Sequence, residues 1–164
     1  MIAMKGVYRY MELKIGSKAP KFTLPSTIGG SISLADLVGK KVVVYFYPKD
    51  DTPGCTIEAC EFRDRMSEIT EQGAMVLGIS PDNLDSHEQF RTKFNLNFDL
   101  LTDKDRSVML AYDSWGKKVV KGKESVGVLR NTFLIDENGD IGTIWRNVTP
   151  AGHADEVIEA IKSL

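Results

Sequence analysis

The sequence predicts an α/β fold in three layers, with a mixed central sheet flanked by helices. Helical patterns alternate with short apolar strands along the chain, which indicates βαβ units and a largely parallel sheet. Near the end of the chain, two strand-like runs flank residues 137–140, whose Asn-Gly pair is typical of a β-hairpin. This hairpin adds antiparallel strands, so the sheet is expected to be mixed.

Each element follows from a local pattern. Residues 41–47 are mostly β-branched and aromatic, too few for a helix, and Pro48 follows them, so they predict a buried strand. Residues 53–72 form the longest helical pattern, which ends at Gly73. The other predicted elements are strands at 74–80, 100–102, 131–136 and 141–146, and helices at 83–94, 104–112 and 154–164.

Composition and charge exclude several classes of protein. The chain has 164 residues, 42% hydrophobic and 27% charged, which is ordinary for one globular domain, and its net charge is −2. The chain contains no long basic run, so a nucleic-acid binder is not expected, and no apolar stretch approaches the roughly 20 residues of a membrane-spanning helix. The first residues lack a secretory signal pattern, so we expect a cytoplasmic protein. The domain is expected at 12–164, after an extension at 1–11 whose order the sequence does not predict.

The two cysteines, Cys55 and Cys60, are structural thiols, metal ligands or a redox pair. A static disulfide is unusual in a reducing cytosol. Zinc normally takes four ligands, and the two histidines, His87 and His153, lie far away in sequence. The sequence therefore favours no metal, and structural or redox roles remain.

Cys55 falls where a reactive thiol is expected. Thr52 suits the N-cap of the helix that follows the first buried strand, and Pro53 suits its first position. Gly54 and Cys55 then lie in the first turn, where unpaired backbone N–H groups and the helix dipole favour a thiolate. The thiolate is the nucleophilic form of cysteine. The alternative is that Cys55 is a small buried apolar side chain at a helix start.

Cys60 follows Cys55 by five positions. In an intact helix this spacing separates the two residues by about 140° and about 7.5 Å along the axis. Their Cα atoms would then exceed the roughly 7 Å limit for a disulfide. A bond between them therefore requires the first helical turns to unwind, which would couple redox state to local unfolding.

The pattern Pro48-x-x-x-Thr52-x-x-Cys55 resembles the signature of peroxiredoxins, and Cys60 matches the resolving position of their bacterioferritin comigratory protein / PrxQ subfamily. The resemblance covers residues 12–164 and includes residues 130–136. It implies a thioredoxin-like fold in its peroxiredoxin elaboration. It also implies a thiol-dependent peroxidase for antioxidant defence that reduces hydrogen peroxide and alkyl hydroperoxides without metal, haem or another cofactor.

The resemblance implies a role for each cysteine. Cys55 would be the peroxidatic nucleophile that peroxide oxidises to a sulfenic acid. Cys60 would be the resolving cysteine that condenses with it to a disulfide; the alternative is an inert thiol. Thioredoxin or a similar dithiol protein would then reduce the disulfide. Because the cycle can finish within one chain, a monomer or a weak homodimer suffices.

Four further residues acquire roles from the same resemblance. Thr52 would donate to the thiolate or peroxide while capping the helix, or it is a cap only. Arg130 would stabilise the thiolate and bind peroxide, although without the resemblance an arginine at this place is more often a solvated charge at a strand end. Pro48 would shield the thiolate from water. The N–H groups of Gly54 and Cys55 would donate to the peroxide.

The remaining polar candidates and two other functions are weaker. Asp50 and Asp51 are expected to face solvent, and His87 and His153 to serve packing or the surface. A protein disulfide oxidoreductase of the same fold would use a Cys-x-x-Cys pair, which the sequence lacks. A non-enzymatic binding module would not need the proline, threonine and arginine that accompany Cys55.

Overall fold

The computed structural model describes residues 12–164, so the predicted extension at 1–11 lies outside the described residues. The strands are β1 Thr23–Pro25, β2 Ser31–Ser33, β3 Lys41–Phe46, β4 Ala74–Ser80, β5 Asp99–Thr102, β6 Trp115–Val120, β7 Lys123–Val128, β8 Thr132–Ile135 and β9 Ile141–Trp145. The helices are α1 Pro53–Asp64, α2 Met66–Glu71, α3 Leu84–Phe94, α4 Ser107–Ala111 and α5 His153–Ser163. Among the helices described, none has the length and apolar character needed to cross a lipid bilayer.

The central sheet has five strands in the order β5-β4-β3-β8-β9. Strands β3, β4 and β5 run parallel, whereas β8 is antiparallel to β3 and β9 is antiparallel to β8. The mixed α/β sheet predicted from the sequence is therefore confirmed. The predicted hairpin at the end of the chain is β8–β9.

Strand β3 reads as a continuous apolar run because both of its faces are covered. Val43 and Tyr45 pack into one hydrophobic core with α1 and α5. Val42, Val44 and Phe46 pack into a second core on the opposite face, with Met109 of α4. The strand ends at Phe46, and the chain leaves the sheet just before Pro48.

The predicted helix at 53–72 is two helices, because the chain bends at Arg65. The backbone of Arg65 has φ −108° and ψ 11°, and its N–H bonds to Phe62 rather than continuing the helical ladder. Its guanidinium contacts Glu68 of α2 and Asp155 of α5. The sequence has no glycine or proline at this break, so the helical pattern continues through it and does not reveal where α1 ends.

The predicted helix at 104–112 is shortened to α4. Arg106 adopts a left-handed backbone with φ 65°, which ends any helix before Ser107. The carboxylate of Asp103 then accepts hydrogen bonds from the N–H groups of Val108 and Met109, at 3.3 and 2.8 Å. Helix α4 begins where this carboxylate satisfies its free donors.

The sequence prediction missed the antiparallel pairs β1–β2 and β6–β7. The β6–β7 pair turns at Lys121 and Gly122, which both have positive φ, 54° and 77°. Two successive positive φ values are typical of the tight turn that joins hairpin strands, usually built from Asn-Gly. A lysine in the first position does not signal this turn, which explains the omission.

Candidate active site

The loop from β3 to α1 brings Cys55 to the carboxyl end of the sheet. Thr52 is the N-cap residue with an extended backbone, and Pro53 begins α1. Cys55 lies in the first turn and is only 1% exposed. Placement of the thiol in the first turn of this helix agrees with the sequence prediction. The side chain is therefore buried in the hydrophobic core rather than displayed on the surface.

Thr52 occupies the N-cap position but does not cap the helix with its side chain. Its hydroxyl donates instead to the carbonyl oxygen of Lys49, at 2.8 Å. The expectation that this oxygen accepts a helix N–H is therefore wrong. With its proton directed to a carbonyl, the Thr52 oxygen keeps its lone pairs for another donor.

Arg130 reaches the thiol from the segment that precedes β8. Its Nη2 lies 3.4 Å from Cys55 Sγ, and its Nη1 lies 2.8 Å from Oε1 of Glu58. The guanidinium therefore bridges a sulfur and a carboxylate, both on α1. This contact excludes the solvated strand-end charge for Arg130.

Glu58 is a site residue that the sequence analysis missed. Its carboxylate is 1% exposed, and Oε2 has no hydrogen-bond partner among residues 12–164. Burial raises the pKa of Glu58 to about 7, although Arg130 opposes the shift. The available signal was its spacing, because a residue three positions after Cys55 shares its helix face.

Burial and ion pairing act on Arg130 in opposite directions. Burial alone would lower the pKa of Arg130, but the negative charges of Cys55 and then Glu58 outweigh it and raise the pKa. The guanidinium therefore stays charged beside the sulfur. A permanent cation at this distance stabilises a thiolate over a thiol.

Gly54 leaves room for that guanidinium. A Cβ at position 54 would lie 3.3 Å from Arg130 Nη2 and 3.4 Å from Pro150 Cγ. A side chain here would press on the arginine that contacts Cys55. Arg130 also lines a cavity of about 390 Å³, together with Pro48 and Val148.

Cys60 lies further along the same unbroken helix. Helix α1 is continuous from Pro53 to Asp64, and both cysteines are free thiols. Cys60 is partly buried, so it is neither fully packed nor fully open. A bond from Cys55 to Cys60 therefore needs α1 to unwind, as the spacing predicts.

Comparison with known proteins identifies the family. Residues 15–144 match the model of the AhpC/TSA family. A putative peroxiredoxin bcp of Coxiella burnetii is 51% identical over 148 residues, which covers 90% of this chain and 98% of the relative. Peroxiredoxin Bcp of Bacillus subtilis is 43% identical, covering 94% and 98%. The chain is a peroxiredoxin.

Solved structures support the same group. Peroxiredoxin Q of Xanthomonas campestris superposes with a TM-score of 0.82 at 39% identity, covering 87% of this chain and 90% of that one. A PrxQ mutant of Xylella fastidiosa gives 0.87 at 32% identity, covering 94% and 98%. The predicted fold and subfamily are therefore confirmed, and this peroxiredoxin is a thiol-dependent peroxidase.

The peroxiredoxin loop also contains a buried carboxylate that the sequence analysis placed wrongly. Asp50 was expected to face solvent, but it is 7% exposed. Its carboxylate accepts hydrogen bonds from the hydroxyls of Tyr47, at 2.6 Å, and Ser86, at 2.8 Å. It also lies 2.7 Å from Nδ1 of His87. Asp51, by contrast, is exposed as expected and pairs with Lys93 at 2.8 Å.

His87 is fully buried in this cluster. Together with Asp50 and Asp82 it forms the one group of three potential metal ligands found among residues 12–164. Both of its ring nitrogens already have protein partners, because Nε2 lies 3.0 Å from the carbonyl oxygen of Leu101. The histidine therefore has no nitrogen left for a metal, and its contacts indicate a structural task. His153 is also buried, and its Nε2 lies 2.8 Å from the Thr132 hydroxyl.

Proposed function

We propose that Cys55 is the peroxidatic nucleophile of this enzyme. The thiolate attacks one peroxide oxygen, the O–O bond breaks, and the leaving oxygen departs with a proton as water or alcohol. Cys55 becomes a sulfenic acid. The observation that carries this proposal is the Arg130 guanidinium, held 3.4 Å from the buried Cys55 sulfur by Glu58. A fixed cation there offsets the negative charge that spreads over sulfur and both oxygens.

The surrounding residues would bind the peroxide. Arg130 donates to its oxygens, and Thr52 accepts from its O–H, since the threonine proton is directed elsewhere. The N–H groups of Gly54 and Cys55 are the backbone donors. Pro48 shields the sulfur from water, which strengthens these electrostatic contacts.

Cys60 is proposed as the resolving cysteine. Its thiol attacks the Cys55 sulfenic sulfur, a disulfide forms, and water leaves. The continuous helix α1 between the two thiols supports a mechanism in which this step waits for local unwinding. The first turns of α1 would refold after the disulfide is reduced.

Hydrogen peroxide and organic hydroperoxides are the proposed substrates. The cavity of about 390 Å³ beside Arg130 and Pro48 is lined by several valines, which suits an alkyl substituent. A solved structure of the Xanthomonas campestris bacterioferritin comigratory protein, 38% identical, concerns alkyl peroxide reduction by that protein. A small peroxide would need only the polar groups around Cys55.

An external dithiol protein, thioredoxin or one like it, is the proposed reductant. It would attack the Cys55–Cys60 disulfide by thiol–disulfide exchange and leave as its own disulfide. Formation of the sulfenic acid and formation of the disulfide both use cysteines of one chain, so a monomer can turn over. A cytoplasmic location would supply such a reductant.

Stopped-flow oxidation of the reduced enzyme by hydrogen peroxide, followed by intact mass, tests these roles. We expect oxidation far faster than that of a free thiol and the loss of two hydrogen atoms within one chain. Cys60→Ser should keep the fast oxidation but gain oxygen instead of forming a disulfide. Oxidation no faster than that of a free thiol, or a wild-type product that gains oxygen without losing two hydrogen atoms, would contradict the assignment.

A further inference from the structure

The peptide that links Lys49 to Asp50 is held at both of its polar ends. The N–H of Asp50 donates to Oδ2 of Asp82 at 2.8 Å. The carbonyl oxygen of Lys49 accepts the hydroxyl of Thr52 at 2.8 Å. Because a peptide is planar, fixing its N–H also fixes the direction of its carbonyl. Asp82 therefore helps to set where the Thr52 proton points.

The side chain of Asp50 is anchored even more firmly than its backbone. Tyr47 and Ser86 both donate to it, and His87 contacts it from α3 at 2.7 Å. Tyr47 directly follows β3, and Ser86 and His87 both lie on α3, so none of these partners belongs to α1. The loop that carries Thr52 is thus attached to the part of the fold that does not contain the two cysteines.

Asp82 is itself held by Ser80. The Ser80 hydroxyl donates to Asp82 Oδ2 at 2.8 Å and accepts the N–H of Asp82 at 3.1 Å. The acceptor for the Asp50 N–H is therefore fixed to the end of β4. Two separate attachments, one through Asp82 and one through the Asp50 carboxylate, hold the same peptide.

The hydrogen bonds of His87 show how many protons lie between Asp50 and His87. The carbonyl of Leu101 can only accept, so the Nε2 that lies 3.0 Å away must carry a proton. Asp50 Oδ2 and His87 Nδ1 then share one proton along their 2.7 Å contact. Either atom can carry that proton, and the contact is a hydrogen bond in both cases.

We propose that Asp50, Asp82 and His87 are positioning residues that orient Thr52 for peroxide reduction. They hold the Lys49 carbonyl so that it takes the Thr52 proton, which leaves the threonine oxygen free to accept the O–H of the peroxide. This inference rests on the proposed roles of Cys55 and Thr52. It requires no new chemical step, because the three residues act only through the loop.

The test compares variants that break or keep this hydrogen bonding, all in the Cys60→Ser background, where oxidation stops after one step. Asp50→Ala and His87→Ala should lower the rate of oxidation by hydrogen peroxide about 10- to 100-fold, the scale of a misplaced catalytic group. Asp50→Asn should stay within about threefold of the parent, because an amide can accept from Tyr47 and donate to His87 Nδ1. Alkylation of Cys55 by iodoacetamide needs no oriented threonine and should change less than about twofold.

A double-mutant cycle with Thr52→Val separates positioning from general damage. If Asp50 acts through Thr52, Asp50→Ala should lower the oxidation rate less than about twofold once the Thr52 hydroxyl is gone. An equal loss in both backgrounds would overturn the proposal. The exposed neighbour Asp51→Asn is the matched control and should leave oxidation unchanged.

Asp82→Ala covers the case in which the buried variants fail to fold, because Asp82 is only partly buried. It should slow peroxide oxidation several-fold without slowing alkylation, and unchanged oxidation would count against positioning. Slow oxidation of the parent enzyme itself would instead refute the proposed function. A fast parent with unaffected variants would refute only the inference about the loop.

Discussion

The irregular loop at 48–52 is held in place, whereas the regular helix α1 has to unwind in the proposed reaction. The loop has no repeating backbone pattern, yet side-chain hydrogen bonds to Asp50 attach it to Tyr47, directly after β3, and to α3. Helix α1 is regular, yet it must unwind if Cys55 is to reach Cys60. The comparison indicates that tertiary anchors, rather than backbone regularity, determine which segment stays and which moves.

The two ends of α1 are attached to different parts of the fold. At its far end, Arg63 donates to the carbonyl of Phe94 at 2.7 Å, and Asn97 donates to the carbonyl of Arg63 at 3.2 Å. At its near end, α1 is attached through Arg130 to Cys55 and Glu58. Unwinding that starts at the near end would therefore extend past Cys60 and stop before it reaches Arg63.

The largest expected effect comes from Arg130, which contacts the near end of α1 from the segment that precedes β8. Arg130→Lys replaces a fork that reaches both Cys55 and Glu58 with a single ammonium. We expect the rate of oxidation by hydrogen peroxide to fall about 100-fold, the scale of a lost transition-state donor. Stopped-flow measurement of the reduced variant checks this, with circular dichroism to show that α1 remains folded.

Arg130→Met provides the sharper comparison, because it removes the charge as well as the fork. It should be slower than Arg130→Lys, since the ammonium still stabilises the thiolate. Equal rates for the wild type and Arg130→Lys would mean that the forked geometry contributes nothing to the reaction.

Much of the fold could be predicted because its signals are local. The apolar run of β3 and the N-cap and proline before α1 are read from neighbouring residues, and they place Cys55 correctly in the first turn. The break at Arg65 could not be predicted in this way, because one of its contacts is Asp155 on α5. A local pattern does not record a partner so far along the chain.

In the candidate site, as in the fold, the residues with local signals were predicted and those with distant partners were not. The cysteines and Thr52 fall within nine residues of sequence, and the resemblance supplied Arg130. Asp50 was misjudged because its partners Ser86 and His87 lie 36 and 37 residues away. A histidine on the apolar face of a predicted helix was the available signal, since a buried imidazole needs hydrogen-bond partners.

The next largest effect concerns Glu58, whose carboxylate is buried on α1. The pKa of Glu58 is raised by burial from 4.5 to about 7, so the folded chain keeps a proton that the unfolded chain releases. Stability from this group is fully present below pH 4.5 and is lost as the pH rises to about 7. Relative to Glu58→Gln, the unfolding free energy of the wild type should fall by about 3 kcal/mol across this range.

Denaturant titrations of both reduced proteins at several pH values measure this difference. Other ionisable groups are common to the two chains, so their contributions cancel in the comparison. Two curves that stay parallel from pH 4.5 to above pH 7 would show that Glu58 releases its proton at the same pH in the folded and unfolded chains.

The smallest expected effect probes the unwinding of α1 itself. Ile57 lies on α1 between the two cysteines and is 45% exposed, so substitution there changes helix stability with little loss of packing. Ile57→Gly and Ile57→Ala differ by about 1 kcal/mol in helix propensity. If disulfide formation waits for unwinding, it should be about fivefold faster in Ile57→Gly than in Ile57→Ala. Oxidation of Cys55 should be equal in the two, because it occurs with α1 folded. Stopped-flow traces at high peroxide separate the two phases, and resolution rates that are equal in both variants would mean that unwinding of this turn does not limit disulfide formation.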